Sequence, residues 1–300
     1  MSDPSGLIVI DKPDGMTSHQ VVASVRRTLG TRRVGHAGTL DPMATGVLIV
    51  GVGPATRLLG HLALRDKAYL ATMRLGRATD TDDREGTTVS TAAPDAVDTL
   101  TDGDIRAACA AFTGAIEQVP SSVSAIKVDG RRAYDLARSG VEVALKPRAV
   151  RIGRFDVIGV RRPEPGLLDV DVDVECSTGT YIRALARDVG RQLGVGGHLT
   201  ALRRTRVGPW SLAEAVALEA CAQGLIPLAE AAQRAFPTSV CGPEAVADLR
   251  HGRRIAWPVG HEGTIACLDL AGGLVALAER RGDQARTIVV FADSPGTGAH

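Results

Sequence analysis

The alternation of apolar and polar residues predicts several strands in the first two thirds of the chain. The clearest is at residues 168–176, where every second residue is apolar and those between are acidic, which is typical of a strand with one buried face. Residues 67–75 alternate in the same way. The apolar run at residues 7–10 indicates a short buried strand that ends in a turn at residues 11–15.

Other segments have the period of an amphipathic helix. Thr17 or Ser18 can cap a helix in which apolar residues recur at helical spacing as far as Gly30, which predicts the helix end. A second helix is predicted at about residues 181–193. The spacing of a capping box at residues 211–214 predicts the start of an alanine-rich helical stretch.

The chain changes character after Phe236 and Pro237. Beyond this point we predict one short helix and three short strands, at residues 243–251, 263–268, 274–278 and 287–291. Short strands separated by glycines favour a small barrel-like β module of about 60 residues. We therefore predict two domains, residues 1–235 and residues 236–300, the second ending in a loose tail.

Composition narrows the functional classes. Hydrophobic residues make up 44% of the 300 positions, which is normal for packed globular cores. The five cysteines are scattered, without short spacings to each other or to histidines, which argues against a disulfide framework or a zinc site and favours a reducing cytosol. The N-terminus does not have the pattern of a signal peptide and no apolar run has the length of a membrane span, so we expect a cytoplasmic protein without a bound metal.

Charge is unevenly distributed, although the net charge is only +1. Residues 15–40 hold four arginines and no acid, residues 146–162 hold six cations and one acid, and residues 183–206 hold six arginines and one acid. The balancing acids concentrate in residues 77–104, a predicted surface excursion with eight acids and two arginines. A block of like charge is often only a solvated surface, but three basic blocks in a nearly neutral chain favour a polyanionic partner.

The most informative segment is GHAGTLDPMATG, at residues 35–46. It places Asp41 in a loop rich in Gly and Pro, just before an apolar run, so that a ligand can approach the backbone while a strand holds the loop. An isolated Asp in such a loop is most often only a turn residue. The whole segment, however, resembles the signature of bacterial tRNA pseudouridine synthases of the TruB family, in which this Asp is the catalytic carboxylate.

Four further segments resemble the same family, so the resemblance extends over residues 6–206: LIVIDKPDG at 7–15, KAY at 67–69, TDTD at 79–82 and STGTYIR at 177–183. It implies an α/β fold of the α+β type with a mainly antiparallel central sheet, followed by a small C-terminal PUA domain. It also implies that one uridine in the T-loop of tRNA, uridine 55, is flipped out and isomerised to pseudouridine without a cofactor.

The proposed chemistry can also be argued from the residues. An ionised carboxylate can add covalently to a sugar or an activated base, as in glycosidases. To remain ionised in a pocket it needs a nearby cation, and Arg183 is a candidate because it lies in the first turn of a predicted helix, where the helix dipole disfavours a cation. The resemblance implies that Arg183 pairs with Asp41. It also places Tyr69 over the target uracil to handle the C5 proton, whereas an isolated Tyr on a strand is more often a core residue.

The resemblance suggests roles for other residues around the substrate. His36 would fill the vacancy that the flipped uridine leaves in the base stack, instead of being a simple turn residue. Tyr181 either forms a second pocket wall or supports Arg183. The remaining candidates are two residues that shape the loop and one apolar pocket wall, Lys12, Pro13 and Leu202.

A basic segment punctuated by glycines, at about residues 121–151, resembles the lid with which the family grips RNA. We expect its phosphate contacts to add affinity but little choice of sequence, and its candidate contacts are Arg131, Arg132 and Arg148. The segments at residues 249–254 and 273–277 resemble a PUA RNA-binding domain only loosely. The expected partner is therefore tRNA, held at its T-arm and elbow by a monomer with no obligate protein partner.

Two other functions are compatible with parts of this pattern. A protein that binds and folds tRNA as a scaffold would need the basic surfaces but not the triplet of Asp41, Tyr69 and Arg183. Glycoside hydrolysis would need a second, suitably spaced carboxylate, and the sequence offers only one candidate. The motifs of dinucleotide, P-loop, zinc-protease and nucleophile-elbow sites are missing from the chain, so we expect no organic cofactor. The sequence leaves open whether the nucleophile attacks C1′ or the uracil ring.

Overall fold

The alternating segments of the sequence lie side by side in one large β-sheet. The computed structural model describes residues 4–121, 127–128, 131–132 and 146–291, with backbone only for 127–128 and 131–132. Within these residues, eleven strands form the large sheet and five form a second sheet near the C-terminus. Two two-stranded hairpins complete the β-structure.

The strands, numbered in chain order, are β1 Gly6–Lys12, β2 Val34–Ala37, β3 Thr45–Val52, β4 Lys67–Leu75, β5 Arg77–Thr79, β6 Thr88–Thr91, β7 Gly114–Gln118, β8 Lys127–Val128, β9 Arg131–Arg132, β10 Arg148–Arg161, β11 Leu168–Cys176, β12 Gly197–Val207, β13 Trp210–Ser211, β14 Val216–Ala217, β15 Leu225–Pro227, β16 Thr238–Val240, β17 Ile255–Ala256, β18 Ile265–Leu268, β19 Leu274–Arg281 and β20 Gln284–Val290. The α-helices are α1 Ser18–Leu29, α2 Leu59–Leu62, α3 Pro94–Asp98, α4 Asp102–Ala110, α5 Ile182–Gln192, α6 Leu228–Ala235 and α7 Pro243–Arg250. Short 3-10 helices lie at Gly53–Leu58, Leu212–Glu214 and Leu218–Gln223.

The large sheet is mixed but mostly antiparallel. Its strands follow the order β14-β1-β3-β12-β4-β11-β10-β7, with β2, β13 and β15 added at β3, β12 and β1. Among its described strand pairs, β1–β14 and β3–β12 are parallel and the others are antiparallel. The second sheet has the order β16-β18-β19-β20-β17.

The two helices with the clearest periodicity form as predicted. Thr17 caps α1 in a reciprocal capping box with Gln20, and Gly30 ends the helix in the left-handed conformation at φ 63°. Helix α5 turns the apolar side that the sequence predicts into the core.

The stretch after residue 211 differs from the prediction. The capping box at Ser211 and Glu214 is present, but it starts only one 3-10 turn instead of a long helix. The chain then adds β14 and β15 alongside β1 before α6 begins at Leu228. Pairing with β1 satisfies the backbone here, so tertiary contacts override the helical propensity of the alanines.

The acidic side of β11 changes the interpretation of the basic blocks. Its carboxylates each pair with an arginine from another strand of the large sheet, in the pairs Asp169–Arg74, Asp171–Arg161, Asp173–Arg154 and Glu175–Arg206. Other arginines of residues 183–206 are also paired with acids, as in the contact of Arg203 with Asp11 at 2.7 Å. Part of the positive charge of residues 146–162 and 183–206, which suggested a polyanion partner, is therefore neutralised within the protein.

Three of the four apolar clusters in the described residues involve the large sheet. One packs α4 and α5 against the face of β4 and β11, and a second packs α1 against β1 and β3. The third contains residues of β1 and β3 together with Phe236, Ala266, Leu277 and Phe291, so it joins the large sheet to the C-terminal sheet. The five cysteines are buried and unpaired. No helix in the described ranges is long and apolar enough to cross a membrane.

The Asp41 loop is held between β2 and β3 at a point where two strands approach closely. Gly46, at φ +97°, begins the parallel contact of β3 with β12, and a Cβ atom built there would lie 2.2 Å from the backbone oxygen of Arg204. A backbone oxygen cannot rotate away as a flexible side chain can. Only glycine fits this position without moving a strand.

We therefore predict that Gly46→Ala destabilises the fold, by about 1–3 kcal/mol from backbone strain alone and further through the clash. The urea midpoint of unfolding measures this loss. Gly60→Ala is the matched control, because Gly60 lies in α2, where an added Cβ atom would have nothing within 4 Å and helix propensity favours alanine. Equal midpoints for the two variants would contradict the strain argument.

Candidate active site

Asp41 lies at the wall of a pocket of about 510 Å³, a size typical of small-molecule sites. The pocket is lined by Gly38, Thr39, Leu40, Asp41, Ala63, Lys67, Tyr69, Arg148, Thr178, Gly179, Thr180, Tyr181, Ile182, Arg183, Leu202 and Arg204. These residues come from the Asp41 loop, the end of α2, the strands β4, β10 and β12, and the segment that leads into and begins α5. The pocket therefore gathers segments that lie far apart in the sequence.

The structure brings Arg183 directly to Asp41. Its Nε lies 3.0 Å from Oδ2 of Asp41, while its Nη1 lies 3.2 Å from Oδ2 of Asp83 and donates to the Thr81 carbonyl at 2.8 Å. The side chain of Arg183 is only 4% exposed, and that of Asp41 is 36% exposed. One buried guanidinium thus bridges an accessible carboxylate and a buried one.

Asp83 is one residue of the site that the sequence did not reveal. It accepts hydrogen bonds from Thr81 Oγ1 at 2.6 Å and from the Glu85 backbone NH at 3.0 Å, and its side chain is 4% exposed. It lies in residues 77–104, which we had predicted to be a surface excursion, so that prediction is wrong for this turn. The preceding Asp82 is also buried, at φ 60°, and contacts Arg187 at 3.2 Å. The TDTD segment at residues 79–82, which directly precedes Asp83, was the feature of the sequence that could have indicated a buried acidic turn.

Two opposing effects set the protonation of Asp41. Burial raises the pKa of the Asp41 carboxyl above its ordinary value, because its surroundings solvate the anion poorly. The charge of Arg183 lowers this pKa again, whereas Asp83 raises it. The exposed part of the side chain faces the pocket, and the remaining surroundings are protein. The result is a carboxylate that is poorly solvated and more basic than one on the surface.

Tyr69 and Leu202 form part of the pocket on adjacent strands. Tyr69, on β4, is 6% exposed and packs in the core cluster of α4 and α5, and it also lines the pocket. Burial raises the pKa of its hydroxyl, so the side chain is a neutral phenol near pH 7. Leu202, on β12, is 7% exposed and lines the same pocket.

Tyr181 lines the pocket at the start of α5, and its backbone is fixed by a buried amide. Gln118 accepts from the Tyr181 NH at 2.8 Å and donates to the Tyr181 carbonyl at 3.0 Å. Gln118 is 2% exposed and ends β7. This pair of hydrogen bonds fixes the residue that precedes Ile182 and Arg183.

Lys12 and Pro13 lie under the Asp41 loop and not in the pocket lining. The Lys12 ammonium is buried and donates to the backbone oxygens of Pro13, Met16 and Pro42, the last being the neighbour of Asp41. Burial lowers the pKa of Lys12 to about 8. Both residues border a second cavity of about 300 Å³. Their position suits support of the loop more than contact with a ligand.

His36 lies on β2, next to the loop but outside the pocket lining. Its ring meets that of His19 edge-to-face, with 5.3 Å between the centroids. Burial lowers the pKa of His36 to about 4, and the charges of His19 and Arg204 act in the same direction. The imidazole is therefore neutral near pH 7.

The charged lining of the pocket is strongly biased towards cations. Lys67, Arg148, Arg183 and Arg204 line it, with Asp41 as the single acid in the lining. Arg148 is exposed at the start of β10. The side chains of Arg131 and Arg132 lie outside the described residues. Among the residues described, no group of three His, Cys, Asp or Glu side chains is arranged to hold a metal.

Comparison with known families accounts for nearly the whole chain. Residues 26–182 match the TruB family pseudouridylate synthase N-terminal domain, residues 183–235 match the tRNA pseudouridylate synthase B C-terminal domain, and residues 236–292 match the tRNA pseudouridine synthase II C-terminal domain. The chain belongs to the TruB family of pseudouridylate synthases.

Several TruB family relatives are similar over their full lengths. The tRNA pseudouridine synthase B of Thermobifida fusca is 53% identical over 294 residues, which cover 96% of this chain and 99% of the relative. The protein of the same name from Mycobacteroides abscessus is 52% identical over 297 residues, 97% of this chain and 98% of the relative. The family and its pseudouridine synthase activity were thus correctly predicted from the five sequence segments.

Solved structures confirm the predicted fold class. A chain of a Cbf5–Nop10–Gar1 complex is 27% identical and superposes with a TM-score of 0.70, covering 96% of this chain and 85% of that chain. A chain of an H/ACA ribonucleoprotein bound to a substrate RNA containing 2′-deoxyuridine is 26% identical, with a TM-score of 0.68 and the same coverage. The large mixed sheet is that of the pseudouridine synthase fold, and the C-terminal sheet is consistent with a PUA-like domain.

We predict that Asp41→Asn raises the melting temperature at pH 7. The pKa of Asp41 in the folded protein is above the ordinary value of 3.8, so the fold favours the neutral acid. The neutral acid therefore contributes stability below pH 3.8, and this contribution is lost as the pH rises through the pKa of Asp41 in the folded protein. An asparagine at this position is neutral at every pH and does not lose it. The advantage of the variant should therefore shrink on acidification, as measured by thermal unfolding between pH 4 and pH 7.

Asp283→Asn, on an exposed turn of the C-terminal sheet, is the control and should show no such pattern. A lower melting temperature for Asp41→Asn than for the wild type at pH 7 would mean that the ion pair with Arg183 outweighs the burial of the carboxylate.

Proposed function

We propose that this chain converts uridine 55, in the T-loop of tRNA, to pseudouridine, with Asp41 as the nucleophile. The observation that carries the proposal is the accessible Asp41 carboxylate, held at 3.0 Å by a buried arginine in the wall of an otherwise cationic pocket. Membership of the TruB family supports the reaction type. The names of the similar proteins, each a tRNA pseudouridine synthase B, support tRNA as the substrate.

The reaction rearranges bonds without changing the composition of the nucleotide. The bond from N1 of uracil to C1′ of the ribose breaks, the base rotates, and a bond from C5 to C1′ forms. The proton on C5 leaves and N1 gains one, so neither an oxidant nor a reductant is needed. An ionised Asp41 can add to C1′ or to the uracil ring, and both routes need the same carboxylate next to the same nucleotide.

The groups around Asp41 suit these steps. Arg183 keeps the carboxylate charged and aimed at the pocket, and a planar fork does so more rigidly than an ammonium would. Tyr69, a neutral phenol in the same pocket, is positioned to stack on the base and to relay the C5 proton. Leu202 supplies an apolar surface beside it. The cationic lining favours the phosphates that flank the reacting nucleotide.

A uridine inside folded RNA must leave its stack to reach such a pocket. We propose that the neutral ring of His36, next to the Asp41 loop, occupies the position in the base stack that the uridine leaves. We also propose that the segment at residues 121–151 and the domain at residues 236–300 add RNA contacts, while the chemistry is confined to residues 1–235. These contacts would act mainly on binding.

The buried Asp83 raises the question of glycoside hydrolysis, which uses two carboxylates. Asp83, however, is not part of the pocket lining, and Thr81 and the Glu85 backbone occupy one of its oxygens. It supports Arg183 instead of facing a substrate. The pocket thus offers one accessible carboxylate, which suits isomerisation better than hydrolysis by an acid–base pair.

The test is to incubate the protein with an unmodified tRNA transcript and map pseudouridine along the RNA. We expect modification at uridine 55 by the wild type and none by Asp41→Asn, since the amide keeps the shape but is a poor nucleophile. The dissociation constant for tRNA should be similar for the two proteins, because binding depends on many phosphate contacts.

A transcript with cytidine at position 55 is the control and should remain unmodified. Pseudouridine at another position would overturn the proposed site, and turnover by Asp41→Asn would overturn the nucleophile. Tight tRNA binding by a wild-type protein without any turnover would favour the function of a tRNA-folding scaffold.

A further inference from the structure

Arg204 is a buried cation that neither the proposed chemistry nor an ion pair explains. It lies on β12, is 1% exposed, and lines the same pocket as Asp41. Within the part of the chain that the structure describes, its guanidinium meets no carboxylate within 4.0 Å. Burying a guanidinium without a counter-ion is costly. Because its desolvation is unfavourable, such a side chain is expected to make specific contacts that compensate for the loss of water.

Its hydrogen bonds go to the two ends of the Asp41 loop. The Nε of Arg204 donates to the Val47 carbonyl at 2.7 Å, and its Nη2 donates to the Gly38 carbonyl at 2.8 Å. Gly38 follows β2, and Val47 lies in β3, so that Asp41 stands between the two anchored carbonyls. One rigid planar group therefore sets the separation of the loop ends.

Two other side chains, Ser18 and Lys12, hold the middle of the loop, whereas Arg204 holds its ends. Ser18 is 1% exposed, and its hydroxyl accepts from the Leu40 NH at 2.9 Å and donates to the Leu40 carbonyl at 3.1 Å. Lys12 holds the carbonyl of Pro42 at 3.0 Å. Residues on both sides of Asp41 are thus fixed from below, and the path of the chain into and out of the loop is fixed by Arg204.

Arg204 also adjoins the other proposed reacting group. In the antiparallel pairing of β12 with β4, Arg204 is the direct partner of Tyr69. Directly paired residues on neighbouring strands have Cβ atoms about 5 Å apart, and both side chains face the pocket. The charge of Arg204 opposes the effect of burial, which raises the pKa of the Tyr69 hydroxyl. The same guanidinium thus contacts the Asp41 loop and faces Tyr69.

We propose that Arg204 is a positioning residue that couples the Asp41 loop to Tyr69 and so fixes the nucleophile relative to the group that handles the C5 proton. This inference rests on the proposed function, but the anchoring of the loop can be measured without catalysis. In this role Arg204 acts through its contacts with the Gly38 and Val47 carbonyls and not as an RNA phosphate contact.

The central variant is Arg204→Lys, which keeps the charge but cannot reach both loop ends with a planar fork. We expect backbone amides of residues 38–47 to exchange hydrogen faster than in the wild type, while those of β11 are unchanged. In single-turnover assays with tRNA, the rate of pseudouridine formation should fall by about tenfold to a hundredfold, the scale of a small misplacement of reacting groups. The dissociation constant for tRNA should change less than about twofold.

A double-mutant cycle with Tyr69→Phe tests the coupling to the tyrosine. If Arg204 acts partly through Tyr69, the loss in the double variant is smaller than the product of the two single losses. The control is Arg206→Lys, on the same strand, whose side chain pairs with Glu175 and does not line the pocket. It should leave both the loop exchange and the rate unchanged.

The possible results separate the inference from its alternatives. A higher dissociation constant with an unchanged single-turnover rate would make Arg204 an RNA contact and overturn the proposal. Unchanged exchange in the loop, or independent losses in the cycle, would also overturn it. If Arg204→Lys does not fold, Gly38→Ala perturbs the same contact from the side of the loop. Gly38 has φ +73°, and a Cβ atom there would lie 3.3 Å from Nη1 of Arg204. Faster loop exchange in Arg204→Lys, together with a wild type that shows no turnover on tRNA, would refute the proposed function and leave the anchoring role of Arg204 intact.

Discussion

The contact of Arg183 with two carboxylates is the constraint on which the site depends. Moving an ion from water into protein is costly, and a buried arginine is tolerated only where nearby anions and acceptors compensate it. Asp83 and the Thr81 carbonyl provide this compensation permanently, from inside the protein. The Nε edge of the guanidinium is then available for Asp41, which alone of the two acids faces the pocket. The arginine is therefore preorganised before any substrate arrives.

The large sheet and helix α5 together bring the pocket residues to the Asp41 loop. Strands β2 and β3 carry the loop, β12 adjoins β3, and β4 lies beside β12, so four strands place the loop, Arg204, Leu202 and Tyr69 around one space. Helix α5 follows β11 and delivers Arg183 in its first turn, against the helix dipole. That unfavourable position is offset by the two carboxylates. Side chains mounted on strands and a helix are held more precisely than side chains on free loops.

Several elements could be predicted from the sequence because a local pattern determines them. Strand β11 has the bounds that its alternation predicts, and α1 begins and ends at the predicted capping residues. The twelve residues around Asp41 identified the family before any contact was known. Each of these features is determined by residues close together in the sequence, so the sequence alone is enough to predict it.

Other features depend on residues far apart in the chain and were not predicted. The sequence shows eight acids in residues 77–104 but not that Asp83 turns inward to Arg183, which is a hundred residues further on. The basic blocks gave a similar difficulty, because acids on another strand neutralise part of their charge. Arg204 was counted as one of many surface charges, although it is nearly fully buried. Tertiary pairing, which a single sequence does not display, decided each case.

The central claim is that Arg183 keeps a poorly solvated Asp41 ionised for reaction. The most direct measurement is the single-turnover rate of pseudouridine formation as a function of pH, for the wild type and for Arg183→Met. The wild-type rate should fall on the acid side with a pKa above 3.8, since burial raises the pKa of Asp41. In folded Arg183→Met, which lacks the opposing charge, this acid limb should move to higher pH. Arg191→Lys, at an exposed position near the end of α5, should match the wild type. If the rate falls at the same pH in the wild type and in Arg183→Met, Arg183 does not keep Asp41 ionised.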